Sequence, residues 1–403
     1  MRKYLLNLLA VGALLLTGRA ATAQLDNRAF TSAYPGKADQ SDSSAYGLQT
    51  DSATAERAGQ LRVALHAFTF FKDNEYFNNI IEGYTLFGTQ LNPQVVYYPT
   101  ANLRLEGGVF LWKDFGTAQL RQVRPTFRAT YTVRRPCATH EVVLGNIRPH
   151  LAHGYIEPLF NFERVMLRPL EEGLQYRLLS QHVELDTWVD WVRQQYRFSN
   201  FQEEIAGGVR GSIRVPVQAL DVHIPMQFTA THRGGQIDTI DRPLQTLFNG
   251  ATGLEARFPY FSGASWVQAV RVQAYGVGFL DRSFTYELPY RRGAALYLNA
   301  TAETRWLDVM LSYWQGQRFV APLGGDLYQS VSRTVGNPTY TEPNRHLLFV
   351  RLLRDFSLGD AAALTVRLEP VYDFQARSTD FSLGVYLNFR QEWLLGNVGS
   401  RVR

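Results

Sequence analysis

From Leu364 to Phe374 the chain alternates residue by residue, with Leu364, Val366, Leu368, Tyr372 and Phe374 set against Thr365, Arg367, Glu369 and Asp373. A period of two sends such sets to opposite faces of a strand. The same alternation returns along most of the sequence. A two-sheet sandwich also alternates, but its strands end sooner and its apolar faces share one core. Here the strands run to about ten residues or more and the second face carries repeated arginine and carboxylate, as a barrel does with hydrocarbon outside and water inside. The expected fold is all-β, a transmembrane antiparallel up-and-down barrel of about sixteen strands.

The ends fit an exported protein. Arg2 and Lys3 precede an apolar stretch from Leu5 to Leu16, and Ala21-Thr22-Ala23 offers a cleavage site, so residues 1–23 read as a signal peptide. No later apolar run reaches the roughly twenty residues of a transmembrane helix. Loss of Arg2, Lys3 and Arg19 with the signal takes the formal charge from +5 to +2, too little to argue for nucleic acid. The lysines are Lys3, Lys37, Lys72 and Lys113, and every other cation is arginine. Guanidinium forks suit charge ladders along a pore wall, and a GC-rich genome accounts for the same bias. One cysteine, Cys137, excludes an intramolecular disulfide and a multi-thiolate metal site. No cofactor is implied.

Residues 24–59 show no sustained period and read as a flexible periplasmic tail. Strands are expected near 61–71, 84–98, 103–113, 121–134, 140–147, 173–180, 183–192, 205–217, 220–232, 250–258, 265–279, 292–304, 306–315, 346–357, 361–374 and 379–390. The barrel then spans residues 60–392, followed by a C-terminal extension at 393–403. Short and long links alternate between the strands, matching periplasmic turns and outer loops, and place both termini in the periplasm. Prolines at 125, 216, 225 and 370 fall within strands, where local bulges are expected.

The signal segment, the alternating hairpins and the aromatic strand from Phe381 to Phe389 resemble Gram-negative outer-membrane porin-like barrels of uncharacterised function. His153-Gly154-Tyr155-Ile156-Glu157-Pro158-Leu159 and Asp186-Thr187-Trp188-Val189-Asp190-Trp191 are similar to segments of such barrels from Bacteroidetes-type bacteria. The resemblance implies an architecture and carries no activity with it.

The lumen is expected to be lined by Arg124, Arg128, Arg177, Glu184, Asp186, Asp190, Arg210, Arg214, Arg271, Arg367, Glu369 and Asp373. Opposite charges on adjacent strands would form a ladder across the wall; the alternative is simple pairing of buried charge. Within 148–172, His150, His153, Glu157, Arg164 and Arg168 are the candidates for a loop that narrows the channel. His150, His153 and Glu157 have spacings compatible with a metal, although an ordinary polar loop is the default and no metal is assigned. Neither G-x-S-x-G nor H-E-x-x-H occurs, so the chain is expected not to be an enzyme. The favoured function is passive diffusion of small hydrophilic solutes across the outer membrane, with selectivity from the charged lining. The alternative is an occluded barrel serving assembly, export or binding, and the third is an outer-membrane hydrolase dependent on His150 or His153. Lipid, small solutes, and a homo-oligomer or protein partner are the expected contacts.

Overall fold

Sixteen strands pair antiparallel with their sequence neighbours, and the first pairs with the last, so the sheet closes on itself. The structure, a computed structural model, describes residues 57–217, 220–259, 266–359 and 361–398. The signal segment at 1–23, nearly all of the tail at 24–59 and residues 399–403 lie outside these described residues. The strands are β1 (Gln60–Phe77), β2 (Glu82–Thr100), β3 (Leu103–Asp114), β4 (Gln122–Arg135), β5 (Ala138–Asn146), β6 (Glu172–Ser180), β7 (Val183–Arg193) and β8 (Glu204–Val217). They continue with β9 (Leu220–Arg233), β10 (Gln245–Pro259), β11 (Val267–Asp281), β12 (Arg292–Thr304), β13 (Asp308–Gln317), β14 (Asn344–Ser357), β15 (Ala362–Asp373) and β16 (Ser378–Asn397).

β16 therefore runs past residue 392, and residues 393–397 of the expected C-terminal extension are wall. Register explains it: Leu61 pairs with Gly396 and Gln60 with Asn397, so the extra residues are needed to cover the full length of β1. The long link expected at 72–83 shrinks to residues 78–81, because β1 and β2 extend above it.

The two faces of the sheet divide as the period requires. On β4, Val123, Phe127 and Tyr131 are exposed on the outside, while Thr126, Thr130 and Thr132 are buried inside. Trp266 and Trp306 stack at 6.3 Å beside the short-turn rim, where an aromatic girdle belongs. Among the described residues no helix is long and apolar enough to cross a membrane; the crossing elements are strands. Turn chemistry supports the hairpins, as at the β14–β15 turn, where Gly359 sits at φ +87° without a side-chain penalty.

The prolines behave differently from expectation. No register shift occurs at residues 125, 216, 225 or 370; the shifts lie near Leu61, Asn74, Tyr97, Asp190 and Val267. Instead the ladder skips a pair of positions and resumes in the same register, beside Pro93 between β2 and β3, Pro225 between β9 and β10, and Pro370 between β14 and β15. A missing donor is thus absorbed as an unpaired gap, which preserves the alternation that keeps apolar side chains outside.

The lumen is not left to water alone. Segment 147–171, carrying a short 3-10 turn (His150–His153) and one helical turn (Arg164–Leu167), lies across it. Its Glu163 accepts from Lys72 and Asn74 of β1 at 2.5 and 2.9 Å, and its Tyr155 hydroxyl donates to the Phe228 carbonyl of β9 at 3.1 Å. A second inserted segment, 318–343, buries Phe319, Val320, Ala321, Leu323 and Tyr328. The two segments touch directly, with Asn161 N donating to Leu323 O at 2.6 Å and Gly325 N to Glu157 O at 3.0 Å.

If hydrocarbon solvates the outer face, Phe127→Arg should lower folding free energy in phospholipid vesicles by about 2–4 kcal/mol, read from urea titration. A neutral result at this exposed position would mean that Phe127 does not face lipid.

Candidate functional site

The inward-facing charges come in pairs. Arg210 donates to Glu184 at 2.9 Å, and Arg177 lies 3.9 Å from Asp186 while bonding Glu141 at 3.1 Å. Glu141, which alternation alone did not single out, also receives both arms of Arg148 at 2.7 and 2.9 Å. Arg124 reaches Glu172 at 2.5 Å, Arg128 lies 3.6 Å from Glu106, and Arg271 meets Glu303 at 3.1 Å. Glu369 is held by Arg351 at 2.9 Å and by Arg367, and Asp373 by Arg345 at 3.0 Å. Asp190 accepts the backbone N–H of Glu172 at 2.7 Å. Arg214 leaves the ladder: its partner is Asp221, at 2.8 Å, near the short-turn rim.

Five candidates of the inserted segment separate into three places. Glu157 turns to the second insertion and the wall, bonding the Tyr328 hydroxyl at 2.9 Å and Arg351. It does not join the two histidines, and no group of metal-ligating side chains occurs among the described residues. Arg168 is exposed and, with Arg121, Arg124 and Arg164, lines a polar cavity of about 290 Å³ toward the long-loop rim. His150, His153 and Arg164 converge on Glu171. His153 Nε2 lies 2.9 Å and His150 Nδ1 3.0 Å from its two oxygens, with Arg164 at 3.6 Å.

His153 is fixed. Its Nδ1 lies 3.4 Å from Asp186 Oδ2, and its ring stacks on Trp188 at 4.5 Å. Burial alone would lower its pKa, but Asp186 and Glu171 overcome that and raise it from 6.5 to about 9. Burial would raise Glu171, yet the imidazoles of His150 and His153 hold it well below the usual carboxylate range. The pair is therefore an imidazolium and a carboxylate at neutral pH.

His150 is different. Its backbone sits at φ +53°, a strained setting for a non-glycine residue that is worth explaining. The residue is 3% exposed. Its Nδ1 approaches Glu171 off the hydrogen-bond line, and its Nε2 has no hydrogen-bond partner among the described residues. The ring borders a cavity of about 230 Å³. One side of this cavity is apolar, with Phe68, Phe110, Leu151 and Leu170; the other is basic, with Arg128, Arg148, Arg177 and Arg390. It has no serine or cysteine lining, and the hydroxyl of Thr126 lies 3.4 Å from Asn92.

A further relay escaped the sequence reading. Ser212 Oγ lies 3.3 Å from His223 Nδ1, and His223 Nε2 lies 3.0 Å from Asp221. These residues sit on facing strands β8 and β9, so only register brings them together. The His150 cavity does not reach them.

A family model described as lipid A 3'-O-deacylase-type matches residues 51–398, which contain every strand of the barrel. The chain belongs to this family. The expectation that the protein is not an enzyme is overturned by that match, because the family is named for an acyl-removing activity. The absence of an elbow or zinc motif misled, since those motifs belong to other folds. No protein of curated function matches the sequence. Among solved structures, the barrel is similar to OprD of Pseudomonas aeruginosa (7% identity, 86% of this chain and 98% of that one, TM-score 0.48). It is also similar to a loop-deletion mutant of OmpT of Vibrio cholerae (12% identity, 83% and 100%, TM-score 0.45). A third is OccAB3 of Acinetobacter baumannii (9% identity, 83% and 99%, TM-score 0.44).

The raised pKa of His153 gives a sign-determined test. A folded value above the unfolded one stabilises the protein fully below about pH 6.5, and that contribution is lost as pH rises through about 9. The urea midpoint should fall across this window, and His153→Gln should both lower stability at pH 6 and flatten the fall. An unchanged slope in the variant would assign the pH response to other groups.

Proposed function

We propose that this outer-membrane barrel hydrolyses an ester-linked acyl chain of a lipid, of the kind the family name describes, in the cavity beside His150. The observation that carries the reading is the His150 side chain itself: buried, strained, backed by Glu171, and presenting an unpartnered Nε2 to an amphipathic cavity. A general base needs an orienting carboxylate on one nitrogen and the reacting proton at the other. Apo geometry at such sites is often loose, and a small ring rotation would align Nδ1 with Glu171.

With no serine or cysteine on the cavity wall, the nucleophile is water. Its oxygen attacks the ester carbonyl carbon as Nε2 takes its proton, and the carbonyl electron pair moves onto oxygen. Arg177 borders the same cavity, and its guanidinium is the group assigned to meet that developing charge. Collapse breaks the bond to the alcohol oxygen, which recovers the proton from Nε2. The products are a carboxylic acid and a hydroxyl.

Passage of small solutes is the second reading, favoured by inward-facing charge from Arg124 through Asp373. It predicts discrete conductance steps in planar bilayers, larger when the insertion at 150–167 is shortened.

Fatty-acid release from an acylated glucosamine lipid, read by mass spectrometry, tests the first reading. His150→Gln should slow release by about 10²–10⁴, the usual weight of a positioned base, while Ser212→Ala leaves it intact. Full activity in a folded His150→Gln protein overturns the assignment; loss in Ser212→Ala alone moves the chemistry to β8 and β9.

A further inference from the structure

The cavity beside His150 is backed by a stretch of the barrel wall whose ladder is interrupted. Pro93 of β2 stands opposite Val109 of β3 in the common register, and Val109 pairs with Pro125 of β4. In an antiparallel sheet a residue directs both its N–H and its C=O toward one neighbour. Whichever neighbour Val109 faces, the residue there is proline and returns no N–H donor. The β2–β3 ladder is in fact unpaired from Asn92 to Pro93, between the Leu91–Leu111 and Gln94–Gly108 pairs.

The wall is also thin at this height. Gly107 and Gly108 carry no side chain on either face; a Cβ on Gly107 would meet open space, whereas one on Gly108 would fall 2.2 Å from the Pro93 carbonyl. The outward row is Pro93, Gly107, Val109 and Pro125. Directly behind it, Asn92, Phe110 and Thr126 line the cavity that holds His150. The same cavity is bordered by the apolar Phe68 and Leu151 and by Arg128, the next inward residue of β4 after Thr126.

We propose that this interrupted stretch of β2, β3 and β4 is a lateral portal, through which one acyl chain of a bilayer lipid passes from the hydrocarbon into the His150 cavity. The chemistry on the two sides matches such an occupant. A hydrocarbon tail meets apolar surface outside, at the seam and on Phe68, Phe110, Leu151 and Leu170 of the cavity, and the ester at its head meets the imidazole and guanidinium groups that border the same cavity. Opening costs little hydrogen bonding, because part of the ladder there is already unmade. As a route to the catalytic centre the portal rests on the hydrolase reading; as a lipid passage it stands alone.

Both can be separated in one protein. In a Cys137→Ser background, Leu91→Cys with Leu111→Cys places two outward cysteines on a paired position beside the gap, so that oxidation pins β2 to β3. The full chain is folded into vesicles containing a phospholipid with a diazirine in its acyl chain, irradiated, and mapped by mass spectrometry. The portal predicts label on inward residues Phe68, Phe110 or Leu151 in the reduced protein and its loss on oxidation, with outward Phe127 labelled in both states. Label confined to outward residues in both states overturns it, as does inward label indifferent to oxidation. Alongside, release of a long acyl chain from vesicle lipid should be lost on oxidation and restored by reductant, while hydrolysis of a short water-soluble ester persists. Inward labelling without hydrolysis of any ester would refute the hydrolase reading and leave the portal standing.

Discussion

Hydrocarbon offers no hydrogen bonds, and that single constraint shapes the rest of this molecule. Apart from the short gaps beside prolines, backbone groups at membrane depth find their partners in the sheet, which forces β1 onto β16 and forbids a free edge. Closure then sorts the side chains. Alternate positions must be apolar outside, so charge has nowhere to go but inward, and inside it meets other charge on neighbouring strands. Arg351 is the extreme case: fully inward, it touches Glu369 of β15, Ser312 of β13 and Glu157 of the inserted segment. Such groups are tolerated in a low-dielectric wall because each is paired.

A sixteen-strand circumference encloses more space than its own side chains fill. The chain answers by folding two of its long links inward, and these supply the apolar interior that the wall cannot. Phe160, Phe162, Met166, Phe319 and Tyr328 are buried against inward aromatics such as Trp188, Trp314 and Tyr386. The catalytic candidate belongs to this inserted material. Rigid strands supply Arg128, Arg177 and Arg390, and the insertion supplies Arg148 and the proposed base, a division of labour in which a scaffold holds a site carried on its connections.

The wall was legible because its physics is local. Alternation along Phe381–Phe389 or Val123–Val133 needs no knowledge of the partner strand, and short or long links are visible as composition. What was not legible depends on closure in space. Residues 318–343 show no period; their Phe319-Val320-Ala321 run reads as nothing until a lumen exists to receive it. His150 and His153 were visible as a spaced pair, but Glu157, their neighbour in sequence, goes to Arg351, and Glu171 takes its place from eighteen residues beyond His153. Ser212 and His223 required the register of two strands. Arg214 missed the ladder because it lies at the rim, where Asp221 on the next strand is nearer.

Segment 147–171 ties Lys72 and Asn74 of β1 to Phe228 of β9, strands eight places apart around a ring of sixteen. It is a crossbar on a diameter. An unbraced hoop of that size would flatten readily under lateral pressure, whereas this one is spanned by a stretch of chain that also carries His150. The shape of the cross-section and the aim of His150 are thus set by the same strut, so squeezing the hoop would tilt the ring.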